Sequence, residues 1–242
     1  MRPLPAAIAD RARAYLAAGP AGMYVFPGGA VDPRDTDGAV PWGGPEPVGW
    51  ADRLGADQIL VRALACAAVR ETFEESGVLL AGPSAKRMVT DPTTPDWEAD
   101  RRRLLDRSLA FSTLLVRRGL VLRADLLRPW AHLITPDFEP RRYDTRFFLA
   151  ALPRGQRARD VGGEADLVAW ARPDVAVERF DRGELAMLPP TVQTLRELTA
   201  YDSVAAAIDA AERRTIRAVL PRVVRAGDEL TLLVPGDAGY PG

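Results

Sequence analysis

Residues 59–76 constrain this chain more than any other stretch. Leu60, Leu64, Ala67, Ala68 and Phe73 recur at helical spacing, and Gly77 stands where a helix stop belongs. The spacing predicts a helix over 59–76 with an apolar stripe laid on a core. Its last turns carry Arg70-Glu71-Thr72-Phe73-Glu74-Glu75. Glu71, Glu74 and Glu75 fall at i, i+3 and i+4 and project from one side, while Val69 and Phe73 point away toward the core. Carboxylates crowded this way repel by roughly a few tenths of a kcal/mol per pair. The helix macrodipole also disfavours negative charge at this end. A divalent cation, Mg²⁺ or Mn²⁺, suits such a set of hard oxygen ligands, and Arg70, one turn before Glu74, can brace it. A solvated acidic face of a surface helix shows the same local pattern.

Composition removes several other chemistries. Basic and acidic side chains number 32 and 33, a net charge of −1, which argues against a partner bound by bulk charge, nucleic acid or anionic membrane. The single cysteine, Cys66, permits no disulfide within the chain and no cysteine-based zinc site, and the single histidine, His132, excludes histidine clusters. No apolar leader opens the sequence. The longest uncharged run, 14–31, contains Gly19, Pro20, Gly22, Pro27, Gly28 and Gly29, which break a membrane helix. A cytoplasmic protein is the expectation, built as one domain over 1–242.

Along the chain the patterns predict a short helix over 6–18 and a strand at 23–26. A long Gly/Pro/Asp-rich loop over 32–57 and a strand at 78–80 flank the acidic helix. Asp96 reads as the N-cap of one helix over 97–118. Strands follow at 129–135, 144–151 and 165–171, helices at 173–181, 190–200 and 202–213, and closing strands at 217–224 and 229–234. This order implies an α+β fold with helices flanking a mixed sheet.

The motif R-E-T-F-E-E-S-G-V at 70–78 resembles the second half of the Nudix box, and Pro27-Gly28-Gly29-Ala30-Val31-Asp32-Pro33-Arg34-Asp35 resembles its first half. Asp35 stands where the pattern has Glu. Between Asp35 and Arg70 lie 34 residues, where the pattern has seven. That spacing places an insertion at 36–62. A long insertion here is similar to the peroxisomal coenzyme A diphosphatase subgroup. Further likeness lies at 134–150 (ITPDFEPRRYDTRFFLA), 152–156 (LPRGQ) and 233–241. Upstream the likeness fails, because strands precede the glycine pair in that family and a helix is predicted here.

The resemblance implies an α/β/α Nudix fold with a C-terminal extension over 173–242. It also implies hydrolysis of a nucleoside diphosphate derivative, coenzyme A or acyl-coenzyme A first, with NADH, ADP-ribose or a nucleotide sugar as alternatives. A non-catalytic nucleotide-binding module is a further alternative. Glu71, Glu74 and Glu75 would hold the metal, with Arg70 beside them. Glu164, in the Gly162-Gly163-Glu164 turn, is the candidate general base, or an ordinary turn residue. Gly28 and Gly29 would let the main chain approach the metal helix. Arg141, Arg142 and Arg146 would receive substrate phosphates, or form solvated surface charge. His132 reads as a core or rim residue and Cys66 as a small core residue. Trp42 and Trp50 could stack on a ligand or seal a dimer contact. The long loop and the helices beyond 173 could supply a homodimer surface.

Overall fold

The structure is a computed structural model of the chain. It describes residues 14–18, 22–36, 40–44, 48–137, 140–161, 167–226, 229–233 and 238–240. The first half comprises β1 (Ala14–Ala18), β2 (Met23–Val25), a 3-10 turn at Pro33–Thr36, α1 (Val48–Leu54), α2 (Gln58–Ser76) and β3 (Ala81–Gly82). Next come α3 (Pro95–Leu105), α4 (Phe111–Arg117), β4 (Val121–Leu122), β5 (Leu127–Ile134), β6 (Asp144–Ala150) and β7 (Leu167–Ala171). The chain continues with α5 (Pro173–Asp181), β8 (Ala186–Met187), α6 (Pro189–Leu198), α7 (Val204–Arg213), β9 (Ala218–Val219), β10 (Arg222–Ala226) and β11 (Glu229–Leu233).

Two mixed sheets organise these elements. One has the order β7-β1-β2-β8 and the other β6-β5-β9. Strand β1 corrects the predicted helix over 6–18. Its AYLAA sequence has good helical propensity, yet Ala14 to Ala18 pair antiparallel with Ala171 to Leu167, and Ala17 and Ala18 also pair with Val25 and Tyr24. Main-chain ladders on both edges override the local preference. The strand missing from the sequence reading is therefore present, ahead of the glycine pair. In the second sheet, β5 and β6 are antiparallel with an irregularity between Pro129 and Ala131, where proline cannot donate to a ladder.

The acidic helix forms as predicted, within one residue at its start. Asp57 caps it by accepting from the Leu60 N–H, and Gly77 ends it at φ 70° with its N–H donating to the Phe73 carbonyl. Of the predicted stripe, Ala67 and Phe73 are buried and Leu64 and Ala68 half-buried, while Leu60 stays 37% exposed; Val61, Ala65 and Val69 complete the buried face. Phe73, with no exposed surface, contributes about 1.5–3 kcal/mol of burial. Around it gather Leu79, Leu80, Leu114, Leu115 and Leu122.

A second cluster, Ala176, Leu185, Met187, Val192 and Leu195, packs against Tyr24 and Phe26. It seats β2 immediately before Pro27-Gly28-Gly29. A third joins Trp130 to Leu198, Ala207 and Ala211.

The described parts of the predicted loop over 32–57, namely 32–36, 40–44 and 48–57, are folded onto the rest of the protein. Val40 is buried in the main core. Leu122 exchanges main-chain bonds with this segment, accepting from Gly43 (2.8 Å) and donating to Pro41 (2.7 Å). Trp42 lies under the Arg62 guanidinium at 4.4 Å, and Trp50 packs on Phe148 at 5.7 Å. Arg53 on α1 donates to the carbonyls of Ala211 (2.6 Å) and Arg214 (3.2 Å). It thereby serves the open carbonyl end of α7, where a cation is favoured.

Three other readings change. The predicted helix over 97–118 is two helices, because Arg107 turns left-handed at φ 60° and Leu109 donates back to Arg103. Thr94, rather than Asp96, is the N-cap position, followed by Pro95. The predicted strand at 78–80 pairs only from Ala81 onward. Leu79 bonds a side-chain amide instead, that of Gln156.

Candidate active site

The last turns of α2 gather their charges around one guanidinium. Arg70 donates through Nε and Nη2 to the two Asp35 oxygens at 3.1 and 2.9 Å. Nη2 also reaches the Ala30 carbonyl at 3.0 Å. Nη1 reaches Glu71 Oε1 at 2.7 Å and Glu74 Oε2 at 3.2 Å. Asp35 is itself buried on the 3-10 turn, where its Oδ2 accepts from the Asp32 N–H at 2.8 Å and its Oδ1 lies 3.5 Å from the Cys66 thiol. The shorter aspartate at the departed position thus reaches Arg70 in two-pronged fashion, the geometry a guanidinium favours. Burial opposes the Arg70 charge, but the Asp35 hydrogen bonds and the charges of Glu71, Asp35 and Glu74 raise its pKa.

The glycine pair closes over this cluster. Gly28 N–H approaches Glu75 Oε1 at 3.4 Å. A Cβ placed on Gly29 would stand 2.3 Å from Glu71 Oε1, so any larger residue would have to push the Glu71 carboxylate aside. Six predicted site residues, Gly28, Gly29, Arg70, Glu71, Glu74 and Glu75, are therefore brought together. Glu74 is buried, and that burial pushes its carboxyl up to about 7, with the Arg70 charge opposing and the Glu71 charge adding. Among the described residues no three His, Cys, Asp or Glu side chains are already grouped as a cage for an ion. The Arg70 guanidinium supplies the positive charge between Glu71 and Glu74. The donor chemistry nonetheless fits a hard divalent cation: three carboxylates stand on one helix end, and Gly29 leaves room for the Glu71 oxygens.

The other candidates lie apart from this cluster or outside the description. Glu164 is outside the described residues. Arg141 is exposed; Arg142 donates to the Thr135 carbonyl and pairs with Asp137. Arg146 is largely buried and pairs with Asp144, which His132 also contacts. His132 is buried on β5, as predicted for a core residue. Cys66 is buried beside Asp35, and desolvation pushes its thiol pKa up, which makes it inert.

Sequence reasoning missed two residues that shape the site from behind. Arg101 on α3 is 2% exposed and donates to the Glu74 main-chain carbonyl at 2.6 Å. Buried Gln156 accepts from the Leu79 N–H and donates to the carbonyls of Leu79 and Val89. The 152–156 likeness pointed to Gln156; no pattern singled out Arg101.

Comparison with known proteins decides the family. The family model described as the NUDT19 Nudix domain matches residues 48–198. The chain belongs to the Nudix hydrolases. The chicken protein named acyl-coenzyme A diphosphatase NUDT19 is 30% identical over 258 aligned positions, covering 90% of this chain and 68% of that protein. A Caenorhabditis elegans protein named putative nudix hydrolase 7 is 30% identical, covering 72% of this chain and 50% of its own length. The human acyl-coenzyme A diphosphatase NUDT19 is 28% identical, with 72% and 49% covered. This Nudix hydrolase thus spans about two thirds of the chicken relative and about half of the other two. The crystal structure of a Nudix hydrolase from Alicyclobacillus acidocaldarius superposes with a TM-score of 0.70 at 30% identity, covering 82% of this chain and 88% of that one. The α+β Nudix fold expected from the sequence is the fold observed. Among the described residues no helix is long and apolar enough to cross a membrane.

Proposed function

We propose that this Nudix hydrolase cleaves the diphosphate of coenzyme A or an acyl-coenzyme A, releasing 3′,5′-ADP and a phosphopantetheine product. Glu71, Glu74 and Glu75 would hold Mg²⁺ or Mn²⁺. The observation that supports the reading is the placement of Glu71 and Glu75 beside Gly29 and Gly28 at one helix end, with Arg70, fixed by Asp35, paired to Glu71 and Glu74. The names of the chicken and human relatives supply the substrate class.

In this reaction one bond of the P–O–P bridge breaks, an oxygen of water bonds to phosphorus, and a proton is released. A bound divalent cation would offset the diphosphate charge and acidify a water it holds. The chain's own residues position. Arg70, anchored at Asp35 and Ala30, holds Glu71 and Glu74 on the glycine side of the helix. Gly29 leaves the Glu71 carboxylate unobstructed, and the Gly28 N–H orients Glu75. Phosphoryl transfer of this type depends on such placement and charge complementarity more than on covalent chemistry.

The test is a substrate panel of coenzyme A, acyl-coenzyme A, NADH and ADP-ribose with Mg²⁺ or Mn²⁺, read by product mass. The expected result is 3′,5′-ADP from the coenzyme A compounds, abolished by Glu75→Gln in a protein that melts like the parent. Turnover confined to NADH or ADP-ribose would overturn the substrate assignment, and turnover of none would overturn the reaction.

A further inference from the structure

Behind the carboxylate cluster runs a strap of chain, residues 156–161, stitched to the exit of α2 in antiparallel order. Gln156 bonds both main-chain groups of Leu79. The Arg159 N–H donates to the Ser76 carbonyl at 3.1 Å. The third tie is indirect. Arg101 donates through Nη1 to the Glu74 carbonyl at 2.6 Å and through Nη2 to the Val161 carbonyl at 2.8 Å. A single buried guanidinium therefore bridges the turn that carries Glu74 and the far end of the strap. Glu98 lies on the same face of α3 and pairs with both Arg101 and Arg159, so the Arg101 charge has a carboxylate partner within the protein.

The geometry of this bridge is demanding. The Glu74 carbonyl belongs to the last turn of α2, whose acceptors have no partner inside the helix. A planar guanidinium serves two acceptors and a carboxylate at once in a fixed fork, which an ammonium on a flexible stem cannot do. Gly77, in the left-handed conformation, passes so close to Arg159 that an added Cβ would lie 2.9 Å from its Nε. Strap and helix end are thus packed as one body. The neighbouring arginines have no such place: Arg102 and Arg103 keep 74% and 46% of their side chains exposed.

We infer that Arg101 is a positioning residue for the hydrolytic reaction, fixing the carboxylate turn of α2 against the 156–161 strap. This inference rests on the proposed function for its activity readout only. Arg101 touches neither substrate nor metal in this role. It sets where the main chain of Glu74 stands, and with it the aim of the Glu74 and Glu75 side chains.

The experiment compares Arg101→Lys with Leu198→Ala, a core truncation in the third cluster that serves as a control for general destabilisation. Melting temperature, kcat, KM and amide hydrogen exchange are measured on the full chain. For Arg101→Lys, kcat falls at least about tenfold while KM stays within about threefold, the size of effect seen when partners behind a metal ligand are removed. Amides of 75–79 and 159–161 exchange at least about tenfold faster, with the rest of the chain moving only as melting predicts. Leu198→Ala shows neither local change at a similar melting loss. Equal kcat loss in the two variants, or an Arg101→Lys protein with parental kcat and exchange, overturns the inference. If the parent hydrolyses nothing on the panel, the proposed reaction fails, and the exchange comparison alone decides whether Arg101 fixes this turn.

Discussion

Substituting Gly29 by alanine separates function from stability at a single atom. The added Cβ would lie 2.3 Å from Glu71 Oε1, 2.6 Å from Cδ and 2.8 Å from Oε2. Ordinary contact requires about 3.5 Å, so the carboxylate must retreat by about 1 Å. It sits at the end of a flexible side chain, and an off-rotamer adjustment costs about 0.5–1.5 kcal/mol. Retreat also loosens the 2.7 Å bond to Arg70, although Asp35 and Glu74 still neutralise that guanidinium. Melting should therefore drop by only about 2–6 °C for a chain of this size. Activity responds differently, because misplacing a positioned group by about 1 Å can cost about 100-fold. Turnover with Mn²⁺, Mn²⁺ affinity by EPR titration and a thermal melt are measured together. Gly28→Ala is the comparison, since a Cβ there meets nothing within 4 Å and the N–H facing Glu75 is retained. The reasoning fails if Gly29→Ala keeps turnover and Mn²⁺ affinity within about threefold of Gly28→Ala.

Two further outcomes concern the scaffold. Gln156→Leu leaves the Leu79 N–H and the carbonyls of Leu79 and Val89 without their partner, and about 1–3 kcal/mol per stranded group predicts a loss of at least about 3 kcal/mol in urea unfolding. Glu98 is held down to about 2 by its hydrogen bond from Arg101, against burial and with help from Arg159. Its folded pKa lies below the unfolded value of 4.5, so the stability it supplies is complete above pH 4.5 and drains away as the pH falls toward 2. After screening, about 1–2 kcal/mol is at stake. Denaturation of Glu98→Gln across this window should lack that part of the acid slope; an unchanged slope would contradict it.

The acidic helix was legible because its pattern is local. Arg70, Glu71, Glu74 and Glu75 share two turns of one helix, and a helix with a glycine stop announces its own phase and end. The stripe held at Ala67 and Phe73 but not at Leu60, because small residues, Ala63, Ala65 and Cys66, also lie in the buried face and carry no strong hydrophobic pattern. What depended on distant partners was not legible. Ala14–Ala18 became a strand only through β7 and β2. The partners that Trp42 and Trp50 have within the fold, Arg62 and Phe148, could not be read from the sequence. Arg101 stands in a run of three arginines, and sequence alone cannot tell a buried one from its exposed neighbours.

Arg53 reaches across 158 residues of sequence to close the end of α7, while Val40 fills the core beside α2. Shortening this chain to the usual spacing between the two halves of its motif would open a hole next to the acidic helix and unfasten a helix far along the sequence. The long segment between the motif halves and the C-terminal helices therefore stand or fall together, as parts of a single brace.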